Sequence, residues 1–428
     1  MSPADSPAPK PRNQHLLTYA ILCAMILGIL VGLLINIFAG DVEWISTYLS
    51  QGAFQVVGGM FMRLLKMLVV PLVFVSIVCG IIALQDIRKL GRMSLKALAL
   101  YIATTAIAIS LALAVASVVK PGSSVPDDPN AVYEGHASKP LAQVLTEIVP
   151  DNPVQAMATA EMLQVIVFSV FVAVAIVQVG ERAAPVKAFF ESLNDVVMRM
   201  VWIVMIFAPL GVFGLVAKTF ATMGLEGIVP LAKYFFTVLG VLLIHAAVTY
   251  SGLLVLLGRL NPLPFFAKMW RVQLNAFATA SSGATIPLTL ETSEHRLGVK
   301  NSVAAFTVPL GATINMDGTA IMQGVATVFV ANYVGVDLTL IQCVIVVLMA
   351  TMASIGTAAI PSVGLVTLGA VLTQVGLPLE PIAFIVGVDR LLDMTRTAVN
   401  VTGDATVTCI VAKGEGDLDE ALFRKMDA

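Results

Sequence analysis

The chain has 428 residues, of which 58% are hydrophobic and 12% are charged, and its mean hydropathy is +0.92. Soluble domains carry about 25% charged residues, so this composition predicts an all-α polytopic membrane protein. The formal net charge is only −2 and no long basic cluster occurs, which excludes nucleic-acid binding. The four cysteines lie in apolar stretches without CxxC spacing, which argues against a disulfide framework and against a zinc site.

The amino terminus predicts a short tail followed by a retained membrane helix. Residues 1–14 are polar and rich in proline, and the apolar stretch 16–39 lacks the small-residue cleavage site that ends a signal peptide. Basic residues precede this helix, the next loop is acidic, and the loop around Arg88 is basic again. Because basic loops stay in the cytoplasm, we expect a multi-pass protein of the cell (inner) membrane, with a cytoplasmic amino terminus and a cytoplasmic tail at residues 414–428.

Five further apolar segments follow, and together with the first they predict about six membrane helices within residues 15–260. They span residues 52–84, 98–119, 162–179, 201–222 and 229–257. Residues 121–153 form a long polar stretch, which predicts an external loop.

The pattern changes after residue 260, where small residues and prolines interrupt the apolar stretches. ATASSGATIP at residues 278–287 and ASIGTAAIP at residues 353–361 both place serine, glycine and threonine before an Ile-Pro pair. Each predicts the tip of a re-entrant helical hairpin, and each is followed by an apolar helix with polar groups. Residues 261–413 therefore contain one unit twice, as in the inverted repeats that enclose a binding site at the membrane midplane. The alternative is a small-residue packing interface or a kink.

The last of these helices carries a stripe of polar residues in an otherwise apolar sequence. The members are spaced by four, three, four and four residues and so share one helix face; they are Asp389, Asp393, Arg396, Asn400 and Asp404. Four charges facing lipid would oppose membrane insertion by about 10 kcal/mol. The stripe therefore faces protein, water or a charged ligand. The alternative without a ligand is an internal ion-pair network.

The chemistry of the stripe predicts a zwitterionic ligand with an extra carboxylate. The guanidinium of Arg396 can donate two hydrogen bonds to one carboxylate, and Asp393 can accept hydrogen bonds from an ammonium group. The Asn400 side chain offers amide donors and an acceptor. An acidic amino acid, aspartate or glutamate, carries these groups. Asp404, and Asp317 in the segment TINMDGTA, then need cations, because unpaired buried carboxylates are destabilising. Neighbouring oxygen atoms suit a hard cation such as sodium. They belong to Gly311, Thr313, Asn315 and Asn400.

Four segments together resemble the glutamate/aspartate transporter family, the dicarboxylate/amino acid:cation symporters. They are TINMDGTA, the serine-rich first tip, ASIGTA in the second tip and DMTRTAVNVTGD. The resemblance extends from the first helix to Lys413 and suggests a prokaryotic, sodium-coupled member. It implies eight spanning helices plus two re-entrant hairpins, a homotrimer, and an elevator mechanism in which a transport domain moves against a scaffold. It also implies that the chain is not an enzyme and needs no cofactor beyond sodium as coupling ion.

The resemblance implies roles for individual residues. Asp393 would hold the substrate's amino group, Arg396 its side-chain carboxylate and Asn400 its α-carboxylate. Further substrate contacts would come from Ser281, Ser282, Thr319, Ile360, Gly364 and Thr397. One sodium site would comprise Gly311, Asn315, Asn400 and Asp404. A second would comprise Thr313, Ser354, Ile355 and Thr357. A third would comprise Tyr101, Thr104, Thr105, Asn315 and Asp317.

The chain departs from its relatives at three positions. Archaeal members carry an arginine at the first tip where this chain has Ala280, and animal members carry one on the last helix where this chain has Met394. Arg390, about one turn from Asp393, either replaces that arginine or extends to the membrane surface. Gln323 stands where potassium-coupled animal members have a glutamate, which argues against proton and potassium countertransport.

Three other functions are compatible with parts of this pattern. Proton-coupled uptake of glutamate or a C4-dicarboxylate is the main alternative, although a dicarboxylate lacks the ammonium that Asp393 would bind. An intramembrane aspartyl protease would require a Gly-x-Gly-Asp context, which the sequence lacks, and an uncoupled channel is a third possibility. The sequence does not choose between aspartate and glutamate, because one methylene changes affinity only modestly. Asp389 has no assigned role, and His245 is expected to be a structural group.

Overall fold

The computed structural model describes residues 11–39, 42, 44–83, 92–123, 146, 149–354 and 363–426. These residues form helices, apart from connecting segments and one isolated bridge between Val299 and Leu418. Several predicted features lie outside the described residues. They are most of the amino-terminal tail, the basic loop at residues 84–91, most of the predicted external loop, and Ile355, Thr357 and Ile360 in the second tip.

The described residues up to Ile244 form a series of α-helices. They are α1 (Pro11–Ala39), α2 (Gln55–Ala83), α3 (Arg92–Val119), α4 (Pro153–Ala158), α5 (Met162–Val179), α6 (Ala184–Ile206), α7 (Ala208–Met223) and α8 (Ile228–Ile244). A π-helical segment, Ile45–Phe54, leads into α2. Beyond α8 the chain stays helical through His245–Tyr250, Ser251–Leu253 and Leu254–Gly258.

The predicted segment 201–222 is not one helix and needs correction. The structure ends α6 at Ile206 and begins α7 at Ala208, with Phe207 as the junction. Pro209 lies in the first turn of α7, where its missing N–H and fixed φ suit a helix start. Continuous hydrophobicity concealed this boundary, because both helices are apolar.

The outer helices present apolar side chains that a membrane would cover. Five helical segments of the described chain are long and apolar enough to cross a bilayer. On α1, Leu30 is 53% exposed and Phe38 is 77% exposed in the isolated chain. Such a large exposed apolar surface suits contact with lipid. Together with the helical architecture, it makes this a multi-pass membrane protein.

The described residues from Pro262 onward also form a series of α-helices. They are α9 (Pro262–Thr279), α10 (Ser282–His295), α11 (Asn301–Ile314), α12 (Asp317–Tyr333), α13 (Leu340–Ser354), α14 (Val363–Gln374), α15 (Ile382–Glu415) and α16 (Glu420–Arg424). Two pairs of short helices, α9 with α10 and α13 with α14, pack against each other within the pair. The two predicted tips lie in the region that joins the helices of each pair, and re-entry of the pairs into the membrane stays a prediction.

The first predicted tip is a tight turn between α9 and α10. Ala280 ends α9 with a left-handed backbone, φ 49°, and donates its N–H to the carbonyl of Ala276 at 2.8 Å. The hydroxyl of Ser281 then caps α10 by accepting the N–H of Ala284 at 3.2 Å. Pro287, expected in the tip, lies inside α10. The turn is therefore shorter than the predicted segment.

Helix α15 is the centre of this half of the molecule. It contacts α3, α8, α9, α10, α11 and α12. Its apolar residues join two buried clusters, one through Leu392 and the other through Val407. With 34 residues it is long enough to span a bilayer. Its polar stripe, however, is unsuited to contact with lipid. The stripe consequently lies inside the protein.

The residues that follow α15 pack against α9. The ammonium of Lys268 in α9 donates to the carbonyls of Leu422 and Phe423 at 2.8 and 2.9 Å, and the Phe423 side chain is fully buried. Lys96 of α3 donates to Glu415 at the end of α15 and holds the pKa of that carboxyl below its usual range. These contacts tie α3, α9, α15 and α16 together at one end.

Candidate functional site

A break between α11 and α12 forms one side of the site. Asn315 and Met316 have φ, ψ values of −89°, 82° and −107°, 47°, outside the helical region. Side chains of other helices accept hydrogen bonds from backbone N–H groups at the break. The N–H of Met316 donates to the hydroxyl of Ser354 at 3.0 Å, and the N–H of Gly318 donates to Oδ1 of Asn400 at 2.7 Å. Because water is absent from a bilayer interior, such partners are what make a broken helix stable there.

Asn315 links the break to α3 and α15. Its Nδ2 donates to Oδ1 of Asp404 at 3.0 Å and to the carbonyl of Asn400 at 3.3 Å, while its Oδ1 accepts from the Thr104 hydroxyl at 3.1 Å. A Cβ added to Gly311 would lie 2.6 Å from Oδ1 of Asp404, so glycine permits the close approach of the carboxylate. The result is a buried group of carboxylate, amide and hydroxyl oxygens, the ligands that hard cations prefer.

Asp317 receives hydrogen bonds from two other helical segments. The Thr105 hydroxyl donates to Oδ1 at 2.6 Å, and the Tyr250 hydroxyl donates to Oδ2 at 2.8 Å. Nε2 of His245 lies 3.2 Å from the same Oδ2. Asp317 is fully buried, so these polar contacts are made away from solvent. Tyr101 is also buried beside this group, and its hydroxyl donates to the Thr307 carbonyl at 2.9 Å.

Neither Asp317 nor Asp404 is paired with a lysine or arginine of the described chain. Burying an ion without a counterion costs several kcal/mol, and neutral hydrogen-bond donors compensate only part of this. The oxygen-rich surroundings fit a hard monovalent or divalent cation. The described residues contain no cluster of three His, Cys, Asp or Glu that would favour a transition metal.

The other part of the stripe is an ion-pair cluster. Nη1 of Arg396 lies 2.8 Å from Oδ1 of Asp389, and Nη2 lies 2.8 Å from Oδ1 of Asp393. Nη1 of Arg390 lies 3.4 Å from Oδ2 of Asp393. Arg390 is 7% exposed, so it joins the cluster and does not extend to the membrane surface. Within the described residues, Nε of Arg396 and Oδ2 of Asp389 have no hydrogen-bond partner, which leaves polar atoms for a ligand.

Three predicted substrate residues surround this cluster. A Cβ added to Gly364 would lie 3.1 Å from Cγ2 of Thr319 and 3.8 Å from Nη1 of Arg396. Thr397 directs its hydroxyl to the carbonyl of Asp393 at 2.8 Å, which leaves the hydroxyl's acceptor lone pairs available. Gly364 on α14 is therefore close to both Thr319 on α12 and the guanidinium, and α15 supplies the charges.

The remaining predicted residues are less closely joined to the site. Ser281 and Ser282 are buried at the start of α10, which packs against α15. Ser354 is hydrogen-bonded to both sides of the helix break. Thr313 is exposed, and its hydroxyl donates to the carbonyl of Leu310 at 2.9 Å. The structure thus brings Ser354, but not the Thr313 side chain, to the break. Ile355, Thr357 and Ile360 lie outside the described residues.

Three groups in the site were not anticipated. His245, expected to be a structural group, places Nε2 3.2 Å from Oδ2 of Asp317, a contact that the sequence did not predict. Tyr250 donates to the same carboxylate, and Sδ of Met316 accepts from Nδ2 of Asn400 at 3.4 Å. His245 and Tyr250 lie in π-helical turns that follow α8, where no periodic pattern marks them. The sole signal was that polar groups are rare in so apolar a segment.

The chain is similar over most of its length to known transport proteins. The profile of the sodium:dicarboxylate symporter family matches residues 17–414. A proton/glutamate-aspartate symporter of Escherichia coli (strain K12) is 35% identical over 420 residues, 94% of each chain. A proton/sodium-glutamate symport protein of Geobacillus stearothermophilus is 33% identical over 94% of this chain and 96% of its own. A C4-dicarboxylate transport protein of Rhodospirillum rubrum is 34% identical over 96% of this chain and 92% of its own.

Proposed function

Because the chain belongs to the sodium:dicarboxylate symporter family, whose members are transporters and not enzymes, we propose that it carries an acidic amino acid, L-aspartate or L-glutamate, into the cell together with sodium. The observation that carries this proposal is the division of one buried stripe. Arg396 lies among carboxylates at one end, and Asp404 lies without a basic partner in the described chain at the other. The first end suits an anionic substrate and the second suits a cation.

The substrate would bind around the guanidinium of Arg396. Its side-chain carboxylate would accept from Arg396, where Nε is without a partner among the described residues, and its ammonium would approach Asp393. The α-carboxylate would accept from the Asn400 amide and from the hydroxyls of Thr397 and Thr319. Ser281, Ser282, Ile360 and Gly364 would close the site from the two hairpins. A charge-matched, water-excluded site of this kind favours an acidic amino acid over a neutral one.

Sodium would bind where carboxylates lack counterions. One ion would bind among Gly311, Asn315, Asn400 and Asp404. Another would bind near Asp317 among Tyr101, Thr104, Thr105 and Asn315. A further one would bind at Thr313, Ser354, Ile355 and Thr357. Buried oxygen atoms that could coordinate a cation support the first two sites. Both sites would connect cation binding to the helix break, which also borders the proposed substrate site.

Cation and substrate binding are coupled through shared residues in this scheme. The side chain of Asn400 accepts a hydrogen bond from the N–H of Gly318, next to the helix break. The amide of Asn315 donates to Asp404 and to the Asn400 carbonyl. A cation that fixes these groups would also fix the amide that meets the substrate. Coupling of this type is reciprocal, so substrate should tighten sodium binding by the factor with which sodium tightens substrate binding.

The larger architecture proposed for the chain follows its family resemblance. Eight spanning helices and two hairpins would form a homotrimer in the inner membrane, with cytoplasmic tails at 1–14 and 414–428. Residues 15–260 would supply a fixed scaffold and part of the moving domain, and residues 261–413 would supply the rest of that domain. The contacts of Lys268 and Glu415 support movement of α3, α9 and α15 as one body.

Proton coupling is the second candidate function. It is favoured by His245, a titratable group 3.2 Å from Asp317, because a proton shared there could neutralise the carboxylate in place of sodium. Against it, Gln323, which cannot titrate, donates to the Thr367 hydroxyl at 2.7 Å in the adjoining part of α12. The relatives' names include both proton and sodium symporters.

Uptake of radiolabelled aspartate and glutamate into liposomes tests the proposal. The purified protein is reconstituted and given an inward sodium gradient, an inward proton gradient, or neither. Accumulation driven by sodium alone is expected. Accumulation driven by protons alone would establish the second candidate, and failure of both gradients to drive acidic amino acids would overturn the assigned substrate.

A further inference from the structure

A buried tyrosine hydroxyl near the ion-pair cluster has no hydrogen-bond partner. Tyr234 lies on α8 and is fully buried, and its hydroxyl is without a partner in the part of the chain that the structure describes. It interacts electrostatically with Asp389 and with Arg396, two charged groups of the stripe. Because buried hydroxyl groups are nearly always hydrogen-bonded, an unpaired one beside a charged cluster indicates a hydrogen bond that forms in another state of the site.

Ring packing fixes the position of Tyr234. Its ring meets that of Phe329 on α12 edge to face, with 5.4 Å between the centroids, and Phe329 in turn contacts the ring of Phe384 on α15 at 6.3 Å. Both phenylalanines are buried, and α8 packs against α12 and α15. The phenol ring is thus anchored at the junction of these three helices, and its hydroxyl is left as the polar end of the side chain.

Asp389 offers the matching acceptor. Its Oδ1 accepts from Nη1 of Arg396 at 2.8 Å, while Oδ2 has no hydrogen-bond partner among the described residues. The Tyr234 hydroxyl is therefore a donor without an acceptor, and Oδ2 of Asp389 is an acceptor without a donor. Since each unpaired buried group is destabilising, a hydrogen bond between the two would satisfy both.

Substrate binding would change the surroundings of Asp389. Arg396 already lies between Asp389 and Asp393, each 2.8 Å from one of its nitrogens. A substrate carboxylate at the same guanidinium adds a third negative group, so Asp389 loses part of the positive charge that now compensates it. A buried carboxylate in this state requires a further donor, and the Tyr234 hydroxyl is an unpartnered O–H that already interacts with it.

We infer that Tyr234 is a positioning residue for substrate binding: its hydroxyl donates a hydrogen bond to Oδ2 of Asp389 when the substrate's carboxylate occupies Arg396. The inference rests on the proposed function and adds a residue of α8, outside residues 261–413, to the support of the substrate site. Tyr234 does not touch the substrate. It stabilises Asp389, which in turn holds the guanidinium of Arg396 in the orientation that the substrate meets.

A double-mutant cycle on aspartate binding tests the inference. Aspartate affinity at saturating sodium is measured by calorimetry on the purified full-length protein for the wild type, Tyr234→Phe, Asp389→Asn and the double variant. Tyr234→Phe removes the hydroxyl and keeps the ring, so we expect the aspartate dissociation constant to rise by about tenfold, as for loss of a hydrogen bond to a charged acceptor. In the Asp389→Asn background the same change should raise it by less than about twofold, because the charged acceptor is gone.

Two controls distinguish this role from a contribution to folding. Tyr48→Phe removes a tyrosine hydroxyl from a side chain that is 66% exposed, and it should leave the aspartate affinity at the wild-type value. Sodium affinity measured without aspartate should be equal in Tyr234→Phe and the wild type, because the hydroxyl acts at the substrate end of the stripe. An equal fold-change in both Asp389 backgrounds would show that Tyr234 acts through packing and would overturn the inference. An aspartate affinity that Tyr234→Phe leaves unchanged would overturn it as well.

Infrared spectroscopy decides the question if Asp389→Asn does not fold. The difference between spectra with and without saturating aspartate, at constant sodium, is recorded for the wild type and Tyr234→Phe. We expect a tyrosine C–O band that shifts when aspartate binds and that is missing from the Tyr234→Phe difference spectrum. Identical difference spectra for the two proteins would contradict a hydrogen bond that forms on binding.

These outcomes separate the inference from the proposed function. Wild-type protein that binds aspartate with sodium but shows equal effects of Tyr234→Phe in both backgrounds refutes the role of Tyr234 alone. Wild-type protein that binds no acidic amino acid refutes the proposed function and the inference with it.

Discussion

Two segments of α15 bury carboxylates in different ways. In residues 389–396, Asp389 and Asp393 pair with Arg396 at 2.8 Å, and Arg390 lies 3.4 Å from Asp393, so two carboxylates are balanced by two guanidinium groups. In residues 400–404, Asp404 accepts from the amide of Asn315 and has no basic partner in the described chain. A cluster in which the charges cancel can exchange one of its ion pairs for contacts with a charged ligand. A buried carboxylate without a counterion instead requires an added cation. One helix can therefore separate substrate recognition from ion recognition.

Replacing Arg396 should have the largest effect, because it removes the counterion of two buried carboxylates. Breaking a buried pair costs about 3–5 kcal/mol, so Arg396→Gln should lower aspartate uptake by at least about a hundredfold. Uptake into liposomes measures this, with Arg182→Gln as the control for loss of one positive charge. Size-exclusion elution establishes that the variant is folded. Aspartate uptake equal to wild type would refute the assigned role of Arg396.

Replacing Asp404 should act mainly on sodium. Asp404→Asn keeps the shape and the hydrogen-bonding capacity but removes the charge, so we expect the sodium concentration for half-maximal uptake to rise by about tenfold or more. Asp417→Asn is a matched control, since Asp417 lies beyond α15 and pairs with Lys300. If Asp404→Asn changes only the maximal rate and leaves the sodium dependence as in wild type, Asp404 is not a sodium ligand.

Adding one methyl group at Gly311 should perturb the same segment sterically. The Cβ would lie 2.6 Å from Asp404 and 2.7 Å from the Tyr101 hydroxyl, and overpacking of this kind costs about 1–3 kcal/mol. Gly311→Ala should therefore lower both the thermal unfolding temperature and the sodium affinity. Gly240→Ala, where no atom lies within 4 Å of the added Cβ, should change neither. Similar behaviour of the two variants would contradict the tight packing around Asp404.

Removing the Thr105 hydroxyl should give the smallest effect. Thr105→Val preserves the volume but loses the 2.6 Å hydrogen bond to Asp317, which is worth about 1–3 kcal/mol when the acceptor is charged. Sodium affinity should fall several-fold, measured as the sodium dependence of uptake. Thr222→Val is the control, because that hydroxyl bonds only to carbonyls of its own helix. Unaltered sodium dependence in Thr105→Val would remove Thr105 from the cation site.

Much of the helical framework could be predicted from the sequence, because long apolar stretches determine it. The predicted segment 162–179 coincides with α5, and the family was identified correctly. The junction at Phe207 was missed, since the apolar character continues across it. Helix ends in uniformly apolar sequence depend on turn geometry, which hydrophobicity does not encode.

The stripe could be predicted as a face of α15, but its partners could not. Helical periodicity assigns Asp404 and Asn400 to one side of a helix, and it does not say which other helix faces them. Tyr250 and His245 reach Asp317 across 67 and 72 residues of chain, a contact fixed only by the packing of separate helices. Periodicity likewise does not decide whether Arg390 lies in the site or at the membrane surface, and its contact with Asp393 places it in the ion-pair cluster.

The reciprocal dependence of aspartate and sodium binding tests the account most directly. Aspartate affinity of the detergent-purified protein is measured by calorimetry at a series of sodium concentrations, and sodium affinity is measured with and without saturating aspartate. We predict that sodium tightens aspartate binding and that aspartate tightens sodium binding by the same factor, with both effects weakened in Asp404→Asn. An aspartate affinity that does not change with sodium concentration would contradict the account.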